Sequence, residues 1–158
     1  VEKNLEDVVI VAPDIGASQR ARNFAEKLGA PLAIVEKRRS LDGKKTAMLN
    51  LIGEVAGKNA IIFDDEIDTA GTLTQAAHFL VEKGARDIYA CATHAILSPP
   101  ATERLRDAPL KEIVVTNTVR IPPEKCLPNM TILSIAPLLG EVIRRIHLGI
   151  SVGALFNE

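Results

Sequence analysis

The sequence predicts an open, mostly parallel α/β sheet with helices on both faces, and three observations carry that expectation. Uncharged runs rich in Val and Ile recur along the chain, the mark of strands buried on both faces. Between them lie segments whose apolar residues repeat at i, i+3, i+4 and i+7, the period of a helix with one buried side. The two patterns alternate, and such alternation leads to a sheet between two helical layers, a three-layer arrangement with its ligands at the carboxyl ends of the strands.

Val8-Val9-Ile10-Val11-Ala12 is the first buried strand, ended by Pro13-Asp14. After Gly16, with Ser18 as a candidate N-cap, Ala21, Phe24, Ala25 and Leu28 form a helical stripe that Gly29 stops. Pro31 to Val35 reads as a second strand. Glu36 to Lys45 then holds five cations in ten residues without an amphipathic period, and is read as a mobile basic loop. Ala60-Ile61-Ile62-Phe63 is the next buried strand, and Leu73, Ala76, Ala77 and Leu80 form a helical stripe that closes at Gly84. Ile88 to Ala92, Ile113 to Val115 and Ile132 to Ile135 are predicted strands. Ala136 to His147 is predicted to be a helix with Leu139, Val142, Ile143 and Ile146 turned inward.

With 158 residues the chain can form one domain, residues 1–158, burying roughly 70 % of its unfolded surface. Hydrophobic residues at 47 % and charged residues at 25 % fit a globular domain and exclude disordered and fibrous classes. A net charge of −1 and an aromatic content of 3 % argue against a nucleic-acid partner, which would require phosphate neutralisation or stacking platforms. The uncharged stretch Cys126 to Gly140 is too short, and too interrupted by Pro128, Asn129 and Pro137, for a membrane span. The start, Val1 to Asp7, is charged and lacks an initiator Met, so an excised piece and a cytoplasmic location are expected. Cys91 and Cys126 are too far apart for a CxxC pattern and are read as free thiols.

The chemistry concentrates in Asp64-Asp65-Glu66-Ile67-Asp68-Thr69-Ala70-Gly71-Thr72, between a predicted strand and a predicted helix. A helix N-terminus presents unpaired N–H groups and partial positive charge. Gly71 permits close approach of an anion, and Thr69 and Thr72 add hydroxyl donors. The carboxylates would repel a phosphate but accept hydrogen bonds from vicinal hydroxyls. The two ends of the segment therefore suit the two ends of a phosphorylated sugar. A P-loop is excluded, because Gly43-Lys44-Lys45-Thr46 lacks the required spacing, and no G-x-G-x-x-G follows a predicted strand. A structural acidic turn before a capped helix stays open on the motif alone.

The pattern D-D-x-x-D-T-x-G-T resembles the phosphoribosyl pyrophosphate motif shared by type I phosphoribosyltransferases and ribose-phosphate pyrophosphokinases. Val11-Ala12-Pro13-Asp14, Ile34-Val35-Glu36-Lys37-Arg38-Arg39 and Ala92-Thr93-His94 are similar in order and spacing to the pyrophosphokinases. So are Ala136-Pro137-Leu138-Leu139, Ile143 to His147 and Ser151 to Phe156. The resemblance covers nearly the whole chain. Ser98-Pro99-Pro100 and Gly16-Ala17 depart from the more familiar Ser-Gly-Pro and Gly-Gly.

This resemblance implies a phosphoribosyltransferase-like fold equivalent to the C-terminal half of an enzyme about twice this length. That enzyme uses magnesium to transfer the β,γ-pyrophosphoryl group of ATP to the 1-hydroxyl of ribose 5-phosphate, and the full-length protein is expected to be a homo-oligomer. By resemblance, Asp64 and Asp65 would hold the ribose hydroxyls. Asp68, Thr69, Ala70, Gly71 and Thr72 would wrap the 5-phosphate. Asp14 would be a magnesium ligand, and Lys37 and Arg39 the catalytic cations, with Arg39 also touching substrate. His94 is left outside the catalytic set, and His78 and His147 are read as surface or packing residues. The isolated chain is expected to be inactive. A phosphoribosyltransferase and a non-catalytic regulatory homologue remain the alternatives.

Overall fold

The computed structural model describes residues 5–39 and 47–156, with side chains at 5–37 and 49–156. In chain order it contains β1 (Val8–Ala12), α1 (Ser18–Leu28), β2 (Leu32–Arg39), β3 (Ala47–Ile52), β4 (Asn59–Ile67) and α2 (Gly71–Glu82). Then follow β5 (Ile88–Ala95), α3 (Ala101–Asp107), β6 (Glu112–Thr116), β7 (Met130–Leu133) and α4 (Ala136–His147). Among the described residues the strands form one sheet in the order β3-β2-β1-β4-β5-β6-β7, parallel except for β3 against β2. The expected α/β class and mostly parallel sheet are what the chain adopts.

Alternation along the central strands divides the core in two. Val9, Val11, Ala33, Val35 and Ile62 pack with Leu73, Ala76, Ala77 and Leu80 of α2 and Leu105 of α3. Ile10, Ala12 and Ile61 turn to the opposite face, where Ala17 precedes α1 and Ala21 and Ala25 lie within it. A strand buried on both faces needs apolar residues at successive positions, and that is why β1 reads as an unbroken Val/Ile run. Phe24 of α1 and Phe63 of β4 stack with ring centres 4.2 Å apart, joining α1 to the strand that carries the acidic pair.

Strand lengths create the site. Val8 to Val11 of β1 pair with Asn59 to Ile62 of β4, and β1 ends at Ala12. Asp64, Glu66 and Ile67 of β4 continue beyond it, in register with Ala92, His94 and Ala95 of β5. On the other side β2 runs on to Arg39, paired with β3 from Ile34↔Ile52 to Arg39↔Ala47. The short central strand leaves a gap between two longer neighbours. It is also the place where the chain turns to β2 on one side and β4 on the other, the switch point at which open α/β sheets form their crevices.

Several expectations need correction. Glu36 to Arg39, read as part of a mobile loop, belong to β2, because β3 supplies an antiparallel partner that the sequence reading did not identify. Residues 40–45 of the expected loop lie outside the described residues. Ser18 is the first residue of α1 and not its cap; the Ala17 N–H instead donates to Asp14 Oδ1 at 2.9 Å. Strand β7 is placed two residues earlier than expected, and α3 was not foreseen. Helix α4 has the predicted limits, but its face does not turn inward: Ile143 is 67 % and Ile146 66 % exposed, and Leu139 is also exposed. Leu28, expected on the buried stripe of α1, is exposed as well. Cys91 and Cys126 are both free, as expected.

Candidate functional site

A cleft of about 470 Å³ opens where β1 stops short. Asp14, Gly16 and Arg20 line one side, and Asp64 through Leu73 line the other. The cleft thus unites Asp14 with Asp64, Asp65, Asp68, Thr69, Ala70, Gly71 and Thr72, all singled out from the sequence, and adds Arg20 and Glu66. Asp68, Thr69 and Thr72 are exposed, while Asp64 and Gly71 are half-buried.

The end of the cleft at the start of α2 is built from backbone. Ala70 adopts φ 59°, ψ 10°, a left-handed conformation rare for a residue with a Cβ, and is the cap residue of α2 without a side-chain hydrogen bond to the helix. Its carbonyl accepts from both the N–H and the hydroxyl of Thr74, at 3.0 and 2.8 Å. That double anchor holds the tight turn. Arg104 of α3 fixes it from outside, its Nη1 donating to the Thr69 carbonyl at 3.0 Å. A Cβ on Gly71 would lie 3.2 Å from the same nitrogen, so Gly71 makes room for the guanidinium. No side-chain cap meets the first-turn N–H groups of α2, and a helix start of that kind is able to receive an anion.

The other end is acidic. Successive strand residues point to opposite faces, yet Arg20 Nη2 lies 3.1 Å from Oδ1 of both Asp64 and Asp65. Asp64 Oδ1 also accepts the Asp65 N–H at 2.9 Å. Burial raises the pKa of Asp64 above the usual carboxylate value, against the opposing pull of that N–H and of Arg20. Asp65 is lowered: slight burial is outweighed by its hydrogen bond with Asp64, the Arg20 charge and nearby backbone N–H groups. The pair therefore loses its protons in two steps, Asp64 last.

Asp14 has Oδ1 committed to Ala17 and contributes a carboxylate to the cleft opposite the acidic pair. No group of three candidate metal ligands is found among the described residues. Lys37 is exposed on β2 and does not line the cleft. It pairs with Leu49, which packs on the core face shared by Ala33, Val35 and α2. The backbone of Arg39 ends β2, and its side chain lies outside the described residues. His94 is set apart from the cleft, with Nδ1 2.9 Å from the Thr118 hydroxyl in a cluster that also includes Thr116 and the Thr93 carbonyl. Arg20 and Arg104 were missed in the sequence because each reaches its partner from another element, 44 and 35 residues away, where no local spacing signals it.

Residues 38–157 match the profile of the phosphoribosyl synthetase-associated domain. The chain belongs to that family. The chain is 55 % identical over 152 residues to a ribose-phosphate pyrophosphokinase of Caldanaerobacter subterraneus subsp. tengcongensis, matching 96 % of this chain and 48 % of that protein. The crystal structure of phosphoribosylpyrophosphate synthetase from Mycobacterium smegmatis superposes with a TM-score of 0.83 at 43 % identity, over 91 % of this chain and 46 % of that one. Adenine phosphoribosyltransferase from Thermoanaerobacter pseudethanolicus shares the fold at a TM-score of 0.52 and 17 % identity, over 72 % and 71 % of the two chains. The domain spans about half the length of the curated relatives it matches.

Proposed function

We propose that this domain binds ribose 5-phosphate and forms the acceptor side of a magnesium-dependent pyrophosphoryl-transfer site, equivalent to the C-terminal half of a longer, cytoplasmic, homo-oligomeric pyrophosphokinase. The observation that carries the reading is one cleft with a half-buried carboxylate pair at one end and a helix N-terminus without a side-chain cap at the other. Asp64 and Asp65 would accept from the ribose hydroxyls. The backbone from Asp68 to Thr72, with the Thr69 and Thr72 hydroxyls, would hold the 5-phosphate.

The lining side chains include five acids, Asp14, Asp64, Asp65, Glu66 and Asp68, and a single base, Arg20. Polyphosphate cannot enter such a lining without added cations. Magnesium suits this balance, because it commonly takes only one or two protein carboxylates and fills its remaining positions with water and phosphate oxygens. Asp14 is the residue that would hold it, and the bound ion would neutralise phosphate charge. In the transfer, the 1-oxygen of the sugar bonds to the β-phosphorus of ATP and gives up its proton. The bond from that phosphorus to the α–β bridging oxygen breaks, and AMP departs. Lys37 and Arg39 would meet the charge that develops on the transferred and leaving oxygens, the main resource available in phosphoryl-type transfer. Their strand runs past the end of β1 toward the cleft side of the sheet, which supports that role.

Isothermal calorimetry on the chain tests the acceptor reading. Ribose 5-phosphate should bind weakly, and Asp64→Asn with Asp65→Asn should abolish binding while leaving the fold intact. Unchanged binding in the double variant would overturn it. The chain alone should make essentially no phosphoribosyl pyrophosphate, and release of pyrophosphate that depends on a nucleobase would point to a phosphoribosyltransferase instead.

A further inference from the structure

By strand alternation Asp64 belongs to the face of Ile62 and α2, whereas Asp65 belongs to the face of Phe63 and α1. Their carboxylates would diverge, and as like charges on adjacent residues they would also repel. Yet Oδ1 of both lies 3.1 Å from one atom, Arg20 Nη2, carried on α1 from the opposite wall of the cleft. The hydrogen bonds that Arg20 and the Asp65 N–H donate to the pair all fall on Oδ1. Arg20 is 46 % exposed, and exposed ion pairs add little to stability. The arrangement matters for geometry instead: one nitrogen gathers two carboxylates from opposite faces and leaves two oxygens for a ligand.

We propose that Arg20 is a positioning residue for the sugar-binding pair, pinning Oδ1 of Asp64 and Asp65 so that their two Oδ2 atoms are presented together to vicinal hydroxyls. The inference rests on reading Asp64 and Asp65 as the hydroxyl-binding pair. Arg20 acts through the carboxylates and makes no ligand contact of its own, so its loss should damage discrimination between sugars more than attraction for the phosphate. It also holds the pair ionised. Without the guanidinium, the desolvation that already raises Asp64 is less opposed, and the pair keeps a proton to higher pH.

The test uses the 158-residue chain and its Arg20→Met and Arg20→Lys variants. Ribose 5-phosphate, 2-deoxyribose 5-phosphate and inorganic phosphate are titrated by calorimetry between about pH 4 and pH 8, the range over which a raised carboxylate ionises. In Arg20→Met the preference for ribose over deoxyribose should fall about three- to fivefold, the scale set by a partly exposed ion pair. The acid limb of binding should move to higher pH, and inorganic phosphate should bind as before. Arg20→Lys should restore the acid limb but not the full preference, because it keeps the charge and loses the shared planar donor. Equal weakening toward both sugars and phosphate would make Arg20 an anion contact and overturn the proposal. So would an unchanged preference and pH profile beside a wild type that binds. If the folded wild type binds neither sugar phosphate, the ribose 5-phosphate reading is what fails. The carboxyl carbons of Asp64 and Asp65, titrated by NMR without ligand, then decide the Arg20 inference alone: an upward shift in Arg20→Met upholds it, and superposed curves reject it.

Discussion

Asp64 is pulled in two directions, toward the neutral form by burial and toward the charged form by the Asp65 N–H and Arg20. In its neighbour Asp65, more exposed, burial pulls the same way but is outweighed by the hydrogen bond with Asp64, the Arg20 charge and nearby backbone N–H groups, so its pKa falls below the usual carboxylate value. Two adjacent acids thus differ: as pH rises the pair gives up its protons in separate steps, and it carries two full charges only above both of them. The cations of β2 act differently. Lys37 has no carboxylate partner among the described residues and lies outside the cleft, so the catalytic role proposed for it would be exercised on bound polyphosphate and not in the resting fold. Lys37→Ala in the full-length protein is expected to lower turnover by about 10²–10³, as for loss of one preorganised donor, with thermal stability unchanged. A drop under about fivefold would remove Lys37 from the chemistry.

At the scale of elements, β2 and β3 form the arm that carries Lys37 and Arg39, and a glycine fixes where the arm begins. Gly53 follows β3 at φ 103°, and a Cβ there would fall 2.9 Å from the Leu32 carbonyl oxygen and 3.0 Å from the Ala33 Cα. Both obstacles are backbone and cannot swing aside. Gly53→Ala should cost roughly 2–4 kcal/mol, the sum of a strained backbone and overpacking. Denaturant unfolding of the chain measures it, and an unchanged midpoint would show that the arm can slide. This arm was only half legible in the sequence. Val8 to Ala12 and Ala60 to Phe63 declared themselves as strands because burial on both faces demands continuous apolar residues. Glu36 to Arg39 did not, because a strand that leaves the shelter of the sheet carries charge where its neighbours carry Val. The acidic segment and the opening of α2 were legible because they are contiguous. The left-handed turn at Ala70 was not, since Ala carries no preference for it and the turn is held by Thr74 and Arg104 from outside.

For the whole molecule, the two core clusters account for the sheet, α1, α2 and α3, and they leave α4 at the margin. Its periodicity was read as a buried face, yet period reports only that a face is apolar, not what covers it. Ile143 and Ile146 are about two-thirds exposed, and Leu138, Leu139, Leu148 and Ile150 are exposed beside them. Replacing Ile143 and Ile146 together by Gln should leave the thermal stability of the isolated chain within about 0.5 kcal/mol and increase its solubility. A loss above about 2 kcal/mol would mean that the face is packed in solution.

Because β1 sits between β2 and β4, the order of synthesis matters to the ribosome that makes this chain. Asp14 and the first helix leave the exit tunnel before β4, so one edge of β1 stays unpaired until Asn59–Ile67 emerges, and the turn at Ala70 follows only with Gly71. A nascent chain halted near Gly57 would leave the β4 side of β1 unpaired along Val9 and Val11, an open edge of the kind on which neighbouring chains add strands. The strand that organises the cleft is also the one that most needs the rest of the domain to arrive.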